Sequence, residues 1–247
     1  MIALLGALQN EISGIEKAIR VERRVAGKPW QVIQGSFAGQ EILLVRTGMG
    51  KQCALKTTAH VFENYPVSAV ISFGFAGALV AERKVGDVAL CRNLYHESAA
   101  ERYASDARLL ALAEQALPGS ALRLFTADCL TVDALAASSP DRHIQGEASA
   151  VQVVEMESYW VASLAAARAL PFLGVRAISD EVGECLPPFD CFMNSNGEWQ
   201  VMDALRYFLV HPGDLLKLPG IYRRSQKALI SLTASLTALI PEVDGGA

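Results

Sequence analysis

Four carboxylates in this chain stand just beyond apolar runs. Glu11 follows Ile2–Leu5, Glu155 and Glu157 follow Val151–Val154, and Asp180 follows Pro171–Ile178. An ionised carboxylate at the end of a buried strand is costly to desolvate unless it gains partners. In open α/β sheets the crevice beyond the strand ends is where ligands bind. Together the four point to acid–base or electrostatic chemistry in such a crevice. Singly, each has a plainer reading. Glu11 suits a solvated first helical turn, where the dipole favours an acid, and Asp180 suits a helix N-cap. Glu155 and Glu157 are two residues apart, and on one helix they would point in different directions.

Other chemistries lack their signatures. Gly48-Met49-Gly50-Lys51 and Gly74-Phe75-Ala76-Gly77 are tight glycine strings, but neither is a dinucleotide fingerprint, and no P-loop is present. Either could offer backbone amides to a ligand, although strand-to-helix turns need glycine in any case. His60, His96, His143 and His211 lack the zinc-protease spacing, so no metal is expected. There is no nucleophile elbow.

The positioning elements follow from periodicity. Ile2–Leu5 reads as a buried strand, and Ile12, Ile15 and Ile19 give the next segment helical spacing. Trp30–Gly35 and Glu41–Thr47 read as strands turning near Gly39. A helix is expected from about Gln52 to Asn64, stopped by Pro66. Val67–Phe73 fits a strand covered on both faces, opening into Gly74–Gly77 as a loop. Further strands are expected at Val88–Cys91, Ala121–Thr126 and Pro171–Ile178, with helices at Ala104–Leu117 and from Met156 to Ala169. The stretch Glu198–Leu239 reads as helical, interrupted by Pro212 and Pro219. Alternating strands and helices without a linker predict one α/β domain over residues 1–247.

Composition agrees. The chain is 51% hydrophobic and 19% charged, with a formal net charge of −4, which argues against nucleic acid as a partner. Five scattered cysteines without paired spacing suit a reducing, cytoplasmic setting. The apolar start lacks a basic leader and reads as a strand rather than a signal peptide. No run reaches the roughly 18 apolar residues of a membrane span.

The strings GALQNE (Gly6–Glu11), TGMGK (Thr47–Lys51), FGFAGAL with KVGDV (Phe73–Val88), VVEMES (Val153–Ser158) and VRAISDE (Val175–Glu181) occur in one order. In this the chain resembles the nucleoside phosphorylase/nucleosidase superfamily, and within it the 5′-methylthioadenosine/S-adenosylhomocysteine nucleosidase branch, over roughly Met1–Val182. The resemblance implies a three-layer α/β/α sandwich around a mixed, partly barrel-like sheet, assembled as dimers or larger oligomers. It implies hydrolysis of a purine (adenine) nucleoside, with no cofactor or metal. Glu11 would activate water, Glu157 would bind the ribose hydroxyls, and Asp180 would hydrogen-bond the purine and help protonate it. Met156 would pack on the sugar, Glu155 would take a ribose or structural role, and Ser179 and Arg176 would support. Leu8, Met49, Phe75, Ala76, Gly77, Leu130 and Phe189 would complete the substrate surface. These roles match the chemistry. Glycosidic cleavage builds positive charge on the sugar and negative charge on the leaving base, so carboxylates near the sugar and a proton for the base both lower the barrier.

Departures from the family pattern qualify this. Phe75 stands where a small hydroxyl residue is usual, and Leu130 where a purine-stacking aromatic is expected. Glu11 replaces the arginine of the phosphorylases, which favours water over phosphate, although Arg46 remains a candidate phosphate ligand. The tail from about residue 186, including HPGDLLKLPGIYRRSQKAL, resembles the hopanoid-associated phosphorylases, which implies an adenosyl-lipid substrate as an alternative. Lys217, Arg223 and Arg224 beside Leu215, Leu216 and Leu218 also suit contact with an anionic membrane surface. A non-catalytic nucleoside-binding protein is the alternative of another class.

Overall fold

A computed structural model describes residues 1–116, 122–134, 151–184, 192 and 200–243. The first half forms β1 (Ile2–Gly6), α1 (Gln9–Ala18), β2 (Arg20–Ala26), β3 (Gln31–Phe37), β4 (Gln40–Arg46), α2 (Gly50–Asn64), β5 (Ala69–Ala78) and β6 (Val88–His96). Then come β7 (Tyr103–Ala104), α3 (Ala107–Ala116), β8 (Leu124–Thr131), β9 (Val151–Glu155), α4 (Ser158–Ala167) and β10 (Phe172–Asp180). The chain ends in α5 (Val201–Val210), α6 (Pro212–Leu215), α7 (Leu218–Leu239) and a 3-10 turn.

The strands join in one mixed sheet, ordered β10-β6-β8-β9-β5-β1-β4-β3-β2. A further parallel pairing of β10 with β5 closes β5, β9, β8, β6 and β10 into a five-stranded barrel. The sheet is covered on both sides. One face packs Ile12 and Ile15 of α1, Leu109 and Ala113 of α3, and Leu232, Leu236 and Leu239 of α7. The other packs Ala54 and Val61 of α2 and Val161, Ala162 and Ala165 of α4. This is the expected three-layer α/β/α sandwich around a partly barrel-like sheet. Double coverage explains why β1 and β5 read as apolar runs without alternation.

Several elements depart from the sequence reading. Gly74–Gly77 is not a loop: β5 runs through it to Ala78, because the strand continues pairing with β10 past Val175↔Phe73 as far as Asp180↔Gly77. β8 extends to Thr131 rather than stopping at Thr126. β2, RVERRVA, has no apolar pattern and is exposed almost throughout. It is the free edge of the sheet, where charges discourage pairing with another chain. Pro219 does not interrupt α7 but lies in its first turn, where the missing N–H is unneeded. Thus the second half of α7 is core, even though it belongs to the tail. Among the described residues no helix is long and apolar enough to cross a membrane. Cys53, Cys91 and Cys129 are buried free thiols; Cys185 and Cys191 lie outside the described residues.

Candidate active site

A cleft of about 280 Å³ opens at the carboxyl ends of β1, β5 and β10 and the start of α4. Its lining includes Leu8, Glu11, Met49, Phe75, Ala76, Gly77, Glu155, Met156, Glu157, Ser179 and Asp180. Of the thirteen residues expected to line the site, with Arg176 as a support behind them, twelve are described, and these eleven converge here. Leu130 does not: it packs with Val154, Met156 and Met49 in an apolar cluster beside the cleft. Phe189 lies outside the described residues. Sequence reasoning missed Ala7, Asn10, Val154, Ile221 and Ser225. The last two come from α7, some forty residues beyond Asp180, and no local signal announces them.

Glu11 sits in the first turn of α1, yet it is not solvated; its exposure is 5%. The carboxylate turns back onto its own approach. Oε2 accepts from the Ala7 and Leu8 N–H groups at 2.9 and 2.8 Å, and Oε1 accepts from the Phe75 N–H at 2.8 Å. Burial pushes its pKa up, and the backbone donors and the Arg176 charge only partly offset that. The glycine string of β5 has its reason here. A Cβ on Gly74 would lie 2.6 Å from Glu11 Oε1, so only glycine leaves room for the carboxylate.

Glu157 ends the β9–α4 junction as the residue before the helix. Its Oε1 accepts from the Gly50 N–H at 2.8 Å. Gly50 reaches it from the head of α2 with φ +81°, a left-handed conformation that favours glycine. This is the purpose of the second glycine string. Desolvation, then repulsion from Glu155 and Glu11, raises Glu157 to about 8.

Glu155 has the opposite fate. It is 3% exposed and its oxygens are engaged by five groups. Thr131 Oγ1 donates to Oε1. The N–H groups of Glu157 and Ser158 donate to Oε2 at 3.0 and 2.7 Å, capping α4, and Arg176 adds Nε at 3.2 Å and Nη2 at 2.8 Å. Burial works to raise its pKa, but Arg176, Thr131 and the helix N–H groups outweigh that and hold it below the usual range. Arg176 is itself 2% exposed and also donates to Ser72 Oγ, Ser158 Oγ and the Val175 carbonyl. Of the two readings open for Glu155, these bonds favour the structural one: it fixes the turn that presents Glu157.

Asp180 ends β10 and is 6% exposed. It is a strand residue rather than an N-cap. Ser179 Oγ donates to its Oδ1 at 2.8 Å. A register shift between Ile178 and Asp180 leaves Ser179 without an opposite number on β5. Such a bulge breaks the alternation of faces, which is how two consecutive side chains both line the cleft.

The described lining contains no lysine or arginine. Arg46, the candidate phosphate ligand, ends β4 opposite Gly6 and is not among the lining residues. One trio of possible metal ligands, His96, Glu97 and Asp133, lies elsewhere. Its members already bond one another: His96 Nε2 meets Asp133 Oδ1 at 3.3 Å, and the Asp133 N–H donates to Glu97.

The raised Glu157 predicts a pH effect on stability. A carboxyl whose pKa goes from 4.5 unfolded to about 8 folded stabilises the fold fully below the lower value and loses that contribution as pH rises through the higher one. Glu157→Gln removes the titration. Its melting temperature is expected to match the parent near pH ~5 and exceed it near pH ~8.5, by about 1 kcal/mol or more of stability. A constant difference across that range would contradict the assignment.

The fold is that of the nucleoside phosphorylase/nucleosidase class, and residues 1–198 match the Phosphorylase superfamily; the chain belongs to that family. Among its relatives, the 5′-methylthioadenosine/S-adenosylhomocysteine nucleosidase of Bacillus cytotoxicus is 27% identical over 212 residues, 78% of this chain and 91% of the relative. The corresponding nucleosidase structure from Neisseria meningitidis, in complex with methylthio-immucillin-A, superposes with a TM-score of 0.75 at 20% identity, covering 98% of this chain and 99% of the other. The futalosine hydrolase of Helicobacter pylori gives 0.75 at 19% identity, covering 98% and 97%. At such identities the structural likeness speaks for the fold.

Proposed function

We propose that this chain hydrolyses the N-glycosidic bond of a purine nucleoside, an adenine nucleoside with a modified 5′ position. The observation that carries the reading is the meeting of Glu11, Glu157 and Asp180, distant in sequence, in one small cleft. A binding protein has no need of three buried carboxylates around one ligand. The relatives named above, acting on methylthioadenosine, adenosylhomocysteine and futalosine, support the same class of reaction.

In the proposed reaction Glu11 takes a proton from water as the water oxygen bonds to the anomeric carbon. The C–N bond breaks, and its electron pair goes to the base. Asp180, aligned by Ser179, delivers a proton to the base, so that it leaves neutral. Glu157 accepts from the ribose hydroxyls, while Met156 and Phe75 offer apolar surface to the sugar and base. The carboxylates stabilise the cationic sugar of the transition state. Water is favoured over phosphate because the described lining holds no cationic side chain, and anions are bound by charge-assisted donors.

The test is adenine release from methylthioadenosine, adenosylhomocysteine and adenosine, with and without phosphate. Release independent of phosphate is expected. Strict phosphate dependence would overturn hydrolysis in favour of phosphorolysis, and no release from any nucleoside would favour a binding protein. Glu11→Gln is expected to lower kcat about 10²-fold or more, with substrate affinity changed by less than about threefold. Loss of affinity instead would remove its role as base. Because the base must be ionised and burial raises its pKa, kcat/KM is expected to fall on the acid side with a midpoint above 4.5.

A second reading concerns the 5′ group. Ile221 brings an apolar wall from α7 into the cleft, and the tail that carries it resembles enzymes of an adenosyl-lipid. A long apolar 5′ substituent fits that wall. A kcat/KM that rises along a series of 5′-alkylthio-adenosines of growing chain length would support it, and a fall beyond methyl would reject it.

A further inference from the structure

The described residues expose nine large hydrophobic side chains, and seven of them lie between Met202 and Tyr222. On α5, Met202, Leu205 and Leu209 recur at helical spacing on one face, with exposures of 64, 52 and 74%. The other face is used: Tyr207 and Phe208 pack their rings on Phe192 at 5.2 and 5.8 Å. α6 follows after one non-helical residue, His211, and is tied to α5 by the Tyr207 hydroxyl donating to Asp214 at 2.6 Å. Leu216 just after it is 85% exposed. α7 then shows Tyr222 at 65%, one residue from Ile221 in the cleft wall. A monomer seldom leaves so much apolar surface in one stretch without a partner.

The charges around this face are predominantly positive. From Gln200 to Ile230 the chain carries five lysines and arginines against two acids, in a protein whose net charge is −4. Arg206 and Arg223 are exposed among the apolar residues, and so is Lys217, which pairs with Asp214 at 2.7 Å. Apolar side chains interleaved with cations match a bilayer that offers acyl chains beneath anionic headgroups. They match a second copy poorly. In a two-fold interface the same patch meets itself, which would set these cations against their own counterparts.

We propose that the α5–α6 face and the start of α7 form a docking surface for an anionic lipid bilayer, which sets the mouth of the cleft against the membrane. The helices lie on the surface and do not span it. The proposal does not depend on the substrate being a lipid.

The test uses the full chain and two kinds of vesicle: equimolar phosphatidylglycerol and phosphatidylcholine, and phosphatidylcholine alone. At low ionic strength the protein is expected to co-sediment with the anionic vesicles at least about tenfold more than with the neutral ones, and to be released by high salt. The double variant Leu209→Glu/Leu216→Glu is expected to lose this binding while its melting temperature stays within about 3 °C of the parent and its turnover of a soluble nucleoside within about twofold; neither residue lines the cleft. Equal recovery in the supernatant with and without anionic vesicles overturns the proposal, as does binding that survives the double variant. So does a lipid-free dimer, seen by light scattering, that the double variant dissociates while vesicles fail to capture the parent. Each of these outcomes leaves the hydrolytic reading untouched, because that is read separately from the soluble substrate.

Discussion

Asp180→Asn is expected to remove most of the turnover and leave the fold in place. The carboxamide has the shape of the carboxylate and keeps an oxygen to accept from Ser179, so the end of β10 retains its packing. What it cannot do is hand a proton to the departing base. General-acid assistance is worth about 10²- to 10⁴-fold, and kcat for adenine release should fall by that much, while the melting temperature moves by no more than about 2 °C. The same variant should be spared on a riboside whose leaving group is stable as an anion, such as p-nitrophenolate. Equal losses on both substrates, or a fall in melting temperature that tracks the loss of activity, would remove Asp180 from the role of acid.

The largest effect on stability is expected from Arg176→Met. Arg176 is the counter-charge of Glu155, and both lie inside the barrel wall with almost no contact with solvent. Truncating one partner of a buried pair leaves the other charge uncompensated, at a cost of about 3–5 kcal/mol. For a chain of this size that is a fall of roughly 6–20 °C in melting temperature. Two controls separate this from simple loss of packing. Without Arg176, burial would raise the Glu155 pKa, so the deficit should shrink as pH is lowered. Adding Glu155→Gln to Arg176→Met should recover part of the loss, because the stranded charge is gone. If the double variant is the sum of the singles and the deficit is flat with pH, the pair is not the source of the stability. Activity should suffer in the single variant as well, through Glu157, whose N–H hangs on the same Glu155 oxygen.

These effects were unevenly visible in the sequence. The central strands β1, β5 and β10 declared themselves because strands buried on both faces are apolar without interruption. The acids declared themselves because carboxylates are rare beside such runs. What stayed hidden depends on contacts between distant segments. Nothing local marks Gly74–Gly77 as strand; its small residues read as a loop, and only the Glu11 carboxylate against Gly74 explains them. Glu155 and Glu157 look equivalent in the sequence. Arg176, twenty-one residues away from Glu155, is what makes one a fixed anion and leaves the other open to a ligand. The charged edge β2 escaped notice because an unpaired edge obeys a solubility rule rather than a packing rule. Leu130 was placed at the cleft by analogy, but β8 runs on to Thr131 and carries it into the neighbouring apolar cluster.

The bulge at Ser179 has a consequence for how this chain can vary. A one-residue deletion at Ser179 would restore strict alternation to the last turn of the ladder, so β10 could still zip against β5. The sheet would keep its bonds and the carboxylate would stay opposite Gly77, but the hydroxyl that donates to it would be gone. A shortened strand would thus carry an aimed but unassisted acid at its tip, and the extra residue lends the acid a hydroxyl rather than a direction.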